Sequence, residues 1–255
     1  MRSYRFTLAL VAMVLGLAGS SAGRSDGAAP QAQMSAMSVA ELERAGDEAR
    51  AAKDYEQAMA YFQAAIRKDK KNPYLLNKLG LAQLKASKLA EARSSFEKAV
   101  KRDSKYADGF NNLGAVYFVQ RNLGAATRNF KKAVALNETK SVYHINLGAA
   151  WFGQNKLDRA MAEYGRALQL DPEALNRNSS AGISAQITTT EERARYDYMM
   201  AKIYARMGNA EECLRCLKKA KEGGYHNLSN VYKEEEFSRL WQDPRLAEIA
   251  PPPAK

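Results

Sequence analysis

The side chains whose types could do chemistry are few. Cys213 and Cys216 form a Cys-x-x-Cys pair, the spacing used for thiol–disulfide exchange when one thiol is held as a thiolate. That chemistry asks for a helix N-terminus in a βαβ setting, yet this pair falls inside a stretch that reads as helix, with no strand pattern around it. Packed structural cysteines are the first reading; an intrahelical disulfide or a thiol-redox role is the alternative. The two histidines, His144 and His226, make no metal-spaced cluster with each other or with the cysteines, and no His-Glu-x-x-His helix is written. The stretch from Gly19 to Ser25 has the wrong spacing for a phosphate loop and carries Arg24 where a lysine belongs. Carboxylates are plentiful, but none stands in a recognisable acid/base pair. No catalytic residue, metal or cofactor is therefore expected, and the chain does not read as an enzyme.

What positions these residues is a repeat. Glycine recurs at Gly80, Gly114 and Gly148, alanine at Ala92, Ala126 and Ala160, an aromatic at Phe96, Phe130 and Tyr164, and alanine again at Ala99, Ala133 and Ala167, always 34 residues apart. One period upstream the set returns as Gly46, Ala58, Phe62 and Ala65. From Ala92, Phe96 is i+4 and Ala99 is i+7, so small and large residues share one helix face. Glycine costs about 1 kcal/mol in a helix relative to alanine, so its return implies a helix contact that a side chain would block. Polar turns at Ser87-Lys88, Arg121-Asn122 and Asn155-Lys156 divide each period into two helices.

At these residues the chain resembles the tetratricopeptide repeat, a 34-residue helix-turn-helix unit. The likeness runs from Val39 to Ala174; its early bulky position is held by Leu42, Leu76, Phe110 and then His144, and its late proline is in register only at Pro172. The resemblance implies an all-α fold, an α-solenoid of antiparallel helix pairs with a concave groove built by first helices. In the family's register that groove is lined by Tyr74, Asn77, Leu81, Leu84 and Lys85, then Asn111, Phe118 and Val119, then Val142, Ile145 and Phe152. Some family members grip a chaperone's C-terminal carboxylate with Lys and Asn at such positions. Glu43 and Asp47 occupy two of them here, so no such clamp is expected.

The units read as 39–72, 73–106, 107–140 and 141–174, followed by a loop insertion at 175–193, a degenerate fifth repeat at 194–223, a capping segment with a terminal helix at 224–249 and a tail at 250–255. Ser38 with Glu41, and Thr189 with Glu192, have the spacing of helix N-caps. Either Gly223 or Gly224 can end the tenth helix in a left-handed conformation.

Residues 1–22 read as an export signal, with Arg2 and Arg5 ahead of an apolar run from Thr7 to Ala18 and small residues at the cleavage site. Residues 23–38 then read as a flexible lead-in. The expected address is exported, periplasmic or secreted, in the manner of bacterial members; an N-terminal membrane anchor is the alternative.

The expected function is a non-enzymatic scaffold or adaptor that takes a peptide or helix of a partner protein in the groove, in cell-envelope assembly. The chain carries a formal net charge of +11. Lys98, Lys101, Arg102, Lys131 and Lys132 fall late in second helices, where they read as a solvated face or as a basic surface for anionic lipid or polymer. Peripheral contact with an anionic membrane is accordingly an alternative partner; nucleic acid is not an expected one.

Overall fold

The computed structural model describes residues 33–175 and 189–252. The segment read as an export signal, most of the lead-in, the insertion between residues 176 and 188 and the last three residues of the tail lie outside the described residues. The chain divides into two units, Met1–Met37 and Ser38–Lys255. In the first, residues 33–36 are helical, where composition pointed to a flexible lead-in. The repeat array lies wholly in the second.

Five helix pairs follow one another: α1 (Val39–Ala51) with α2 (Tyr55–Lys68), α3 (Pro73–Lys85) with α4 (Leu89–Arg102), α5 (Ala107–Val119) with α6 (Leu123–Leu136), α7 (Ser141–Gly153) with α8 (Leu157–Leu170), and α9 (Thr190–Arg206) with α10 (Ala210–Glu222). Among the described residues there is no strand, and the fold is an all-α solenoid of antiparallel pairs. The array starts at a capping box: Glu41 N–H donates to Ser38 Oγ at 3.2 Å, and Ser38 N–H donates to Glu41 Oε2 at 2.7 Å. After the insertion, Thr189 Oγ1 caps α9 by accepting from Glu192 N–H at 3.0 Å.

Each pair closes on the glycine–aromatic contact that the repeat implies. A Cβ built on Gly80 would lie 2.6 Å from the Phe96 ring, and one on Gly46 or Gly114 equally close to Phe62 or Phe130. The fourth pair is looser, 3.2 Å from Gly148 to Tyr164. The alanines that flank each ring, Ala92 and Ala99 in the second unit, have no exposed surface. They let the helices approach while the ring fills the gap.

The turns inside the pairs are alike. Lys53, Ser87, Arg121 and Asn155 take left-handed φ near +60°, and Gly208 does so in the fifth. The next residue then donates its N–H five residues back, Lys88 to Gln83 O at 2.8 Å and Asn122 to Tyr117 O at 2.9 Å. Between units, the second helix of one pair packs on the first helix of the next. Ala92 and Phe96 on α4 thus share a core with Leu113 and Val116 on α5.

The C-terminal segment departs from the expected helix. It forms two 3-10 turns, Leu228–Tyr232 and Glu235–Leu240, and then a short helix α11 (Pro244–Ile249). The charged run Lys233–Glu236 and the Asp243-Pro244 break leave no uninterrupted amphipathic stretch between the turns. Val231, Phe237 and Leu246 are fully buried as three separate anchors. Trp241, by contrast, is 42% exposed and donates its Nε1–H to Val231 O at 2.8 Å.

Candidate functional site

The first helices meet across units through a repeated polar step. Asn112 Nδ2 on α5 donates to Asn77 Oδ1 on α3 at 2.8 Å, and Asn146 Nδ2 on α7 donates to Asn111 Oδ1 on α5 at 2.8 Å. One unit earlier the same two places hold an ion pair, Lys78 Nζ to Glu43 Oε1 at 2.6 Å, with Asp47 as a second, very close partner. Burial works against the charge of Lys78, but the hydrogen bonds of Asp47 and Glu43 outweigh it and raise its pKa. Glu43 and Asp47 therefore face into the array, where Lys78 neutralises them.

At the far end the C-terminal segment completes the pattern. Tyr198 of α9 stands where Asn77 and Asn111 stand in their units, and its hydroxyl donates to Glu234 Oε2 at 2.8 Å. Lys202, one turn on, pairs with Glu234 at 3.3 Å and Glu236 at 3.4 Å, and Arg206 pairs with Glu236 at 2.6 Å. The two 3-10 turns thus stand against α9 as a following first helix would.

This register sorts the residues expected in the groove. Tyr74 is 54% exposed at the start of α3, its ring edge-on to Tyr106 with centroids 4.8 Å apart. Leu81, Leu84, Val119 and Val142 are half-buried and Lys85 is exposed, all on the first-helix face. Asn77, Asn111, Ile145, Phe118 and Phe152, in contrast, are buried. The two asparagines are turned into the steps between helices, and the three apolar residues belong to the core shared with α9 and α10. Phe152 is covered by Tyr196, edge-on at 5.7 Å, and by the Arg195 guanidinium 5.1 Å from its ring centre. On the first-helix face the accessible apolar surface is therefore concentrated on α3, α5 and the start of α7.

The family register also places Asp108 on this face, but sequence reasoning missed the groups that meet it: the Lys140 ammonium at 2.9 Å and the Tyr143 hydroxyl in a very short bond. Lys78 likewise stayed unmarked because it lies one residue from the position read as groove-lining. A comparison of adjacent positions across periods would have shown the Glu43/Lys78 and Asn77/Asn112 alternation.

The remaining candidates resolve by burial. Cys213 and Cys216 are free thiols with 0% and 6% exposure, and burial pushes their pKa values to about 12 and about 11. A thiolate nucleophile is not supplied at neutral pH by either. His144 is buried, with Nδ1 2.7 Å from Glu163 Oε2 and Nε2 3.0 Å from Glu138 O, and so ties α7 to α8. Lys98, Lys101, Arg102, Lys131 and Lys132 are exposed on α4 and α6. A cleft of about 800 Å³ between α10 and α11, floored by Leu214 and Ile249, had no signal in the repeat pattern. Among the described residues no helix is long and apolar enough to cross a membrane.

Three family models described as tetratricopeptide repeat match residues 43–107, 141–174 and 194–222. Among solved structures, a MamA protein is 21% identical over 77% of this chain and 95% of its own, with a TM-score of 0.52. TTC0263 of Thermus thermophilus, described as a thermophilic TPR protein, is 22% identical over 80% of this chain and 99% of its own, with a TM-score of 0.50. YrrB, described as a TPR protein with an unusual peptide-binding site, is 20% identical over 75% of this chain and 89% of its own, also at 0.50. At such identities the likeness is one of fold. No curated protein sequence matches the chain.

Proposed function

The chain belongs to the tetratricopeptide repeat family, and we propose that it is a non-enzymatic scaffold that holds a peptide or helix of a partner protein against its first helices. The observation that carries this reading is the apolar surface on that face. Tyr74 projects from it at 54% exposure, and Leu81, Leu84, Val119 and Val142 stay half-open beside it. Tyr74 and Val142 share one repeat position two units apart, and Leu81, Leu84 and Val119 lie between them on successive first helices, so a ligand lying across the units meets one after another. An aromatic ring at the rim and leucines along the floor suit the apolar stripe of an amphipathic helix or alternate side chains of an extended peptide.

The buried groups do the complementary work. Asn77, Asn111, Ile145, Phe118 and Phe152 fix the spacing of the helices that present the open residues, and so act on a ligand only through them. Glu43 and Asp47 are engaged with Lys78, which supports the absence of a carboxylate clamp. The partner belongs to the cell envelope in this reading. Arg2, Arg5 and the apolar run from Thr7 to Ala18 support export to a periplasmic or secreted address.

The test is a peptide-display selection against the chain, repeated with the double variant Tyr74→Glu/Leu81→Glu at low and high salt. Peptides bound by the parent, retained at high salt and released by the variant are the expected result. Peptides that bind both proteins equally would sink the groove reading.

A further inference from the structure

The second helices carry positive charge in phase with the repeat. Lys98, Lys132 and Arg166 occupy one position in three consecutive units, and all are exposed. One helical turn further on, Arg67 and Lys101 share a second position, and Lys71 and Lys105 share a third. Lys98 and Lys101, spaced i and i+3, lie on one face of α4, and Lys105 follows in the turn after it. Because the units stack in series, the same position repeated on successive second helices becomes a row of cations along the array.

Two ordinary explanations fall short. Cations in the last turn favour a helix C-terminus, which accounts for Lys101 and Arg102 on α4. Lys98 lies a turn earlier, and Lys132 and Arg166 lie on helices that have no basic residue in their last turn. The second explanation, an ion-paired surface, also fails: among the described residues no salt bridge forms at Lys98, Lys132 or Arg166, nor at Arg67, Lys101 or Lys105. The nearby carboxylates are turned elsewhere. Glu97 lies 3.6 Å from Arg93 and accepts the Tyr117 hydroxyl at 3.0 Å. Asp69 and Asp103 accept the backbone N–H groups of Lys71 and Lys105 at 3.2 and 2.8 Å.

We propose that this stripe on α4, α6 and α8 docks the protein on an anionic lipid surface, leaving the first-helix face free for its peptide. Lysine predominates, and on α4, α6 and α8 themselves no aromatic ring is exposed to stack on a base. Point charges on flexible stems suit the dispersed phosphates of lipid headgroups better than the stacked bases of a single strand. Each Lys or Arg held near an anionic leaflet adds roughly fivefold to binding, and added salt shortens the Debye length beyond which that attraction is screened.

The experiment is cosedimentation of the purified chain with phosphatidylcholine vesicles, with and without phosphatidylglycerol, at low and high salt. The expected result is binding to the anionic vesicles alone, lost at high salt. Lys98→Glu/Lys132→Glu should weaken it by about 30-fold or more. The pair Lys233→Glu/Arg239→Glu, equal in net charge and exposed on the C-terminal turns, should change it less than about threefold. Circular dichroism establishes that both variants are folded. No binding to anionic vesicles, equal loss in the two pairs, or preference for duplex DNA at equal phosphate concentration would each overturn the proposal.

Discussion

Asn112 reaches back one unit to Asn77, and Asn146 repeats the reach to Asn111, each with its amide 2.8 Å from the earlier carbonyl oxygen. Asn77, Asn111 and Asn146 are all buried, so water does not replace a lost partner. Asn111→Ala strands the Asn146 amide and should cost about 1–3 kcal/mol, measured by urea denaturation. A double-mutant cycle with Asn146→Ala should recover part of that cost, because both ends of the step are then gone. Strict additivity would mean that the step carries no coupling.

Gly80 and Gly124 are both helical, but their surroundings differ. A Cβ on Gly80 meets the Phe96 ring at 2.6 Å, whereas one on Gly124 finds only the Arg128 guanidinium at 3.8 Å and the Asn122 side chain at 4.0 Å. Gly80→Ala should destabilise by about 1–3 kcal/mol through overpacking. Gly124→Ala should be neutral or stabilising by up to about 1 kcal/mol, since alanine loses less backbone freedom on folding. Thermal melts of the two variants make the comparison, and similar melting temperatures would refute the packing role of the first-helix glycine.

The left-handed turns offer the opposite change. Arg121 holds φ +60° without the freedom of glycine, while Gly208 fills the equivalent place in the fifth pair. Arg121→Gly should therefore stabilise by about 0.5–1 kcal/mol, the relief of Cβ strain exceeding the added chain entropy. Denaturant midpoints report the sign directly.

Burial of Cys213 and Cys216 ties stability to alkaline pH. Their folded pKa values, about 12 and about 11, lie above the ordinary thiol value near 8.5. Between those limits the folded chain keeps protons that the unfolded chain releases. The stabilisation is complete below pH ~8.5 and falls as pH rises, by at most about 1.4 kcal/mol per unit for each thiol. Cys213→Ala/Cys216→Ala should flatten that decline. In the parent at pH 8, iodoacetamide should label neither thiol until urea unfolds the chain.

The three anchors of the C-terminal segment differ in kind from Trp241. Phe237→Ala should cost about 3–5 kcal/mol, because a fully buried ring leaves a cavity. Trp241→Ala gives up partly exposed surface and one hydrogen bond to Val231, so the cost should be nearer 1 kcal/mol. Calorimetry that ranks them the other way would contradict the packing described here.

The helix pairs were legible because their cause is local. Gly80, Ala92, Phe96 and Ala99 lie within one period, and helical periodicity alone brings them to one contact. The face of the first helices was legible only in part. Whether Asn77 points to a ligand or to Asn112 depends on a residue 35 positions away, and a 34-residue comparison aligns Asn77 with Asn111 instead. Phe152 was misplaced for a related reason. Its exposure is decided by Arg195 and Tyr196, which follow the insertion and belong to no regular period. The C-terminal turns were unreadable because apolar spacing marks which residues are buried there, but Lys233–Glu236 and Pro244 decide the backbone form.

The bond from Tyr198 to Glu234 gives the array a terminus. A stack of near-identical modules presents at its last module the same adhesive edge that joined all the earlier ones, and an open edge invites a second molecule to continue the series. Here the chain spends its own acidic turn on that edge, with Glu234 and Glu236 saturating Tyr198, Lys202 and Arg206. The count of modules is thus written into one molecule, and lengthening the series by gene duplication would have to insert new modules ahead of this stop rather than after it.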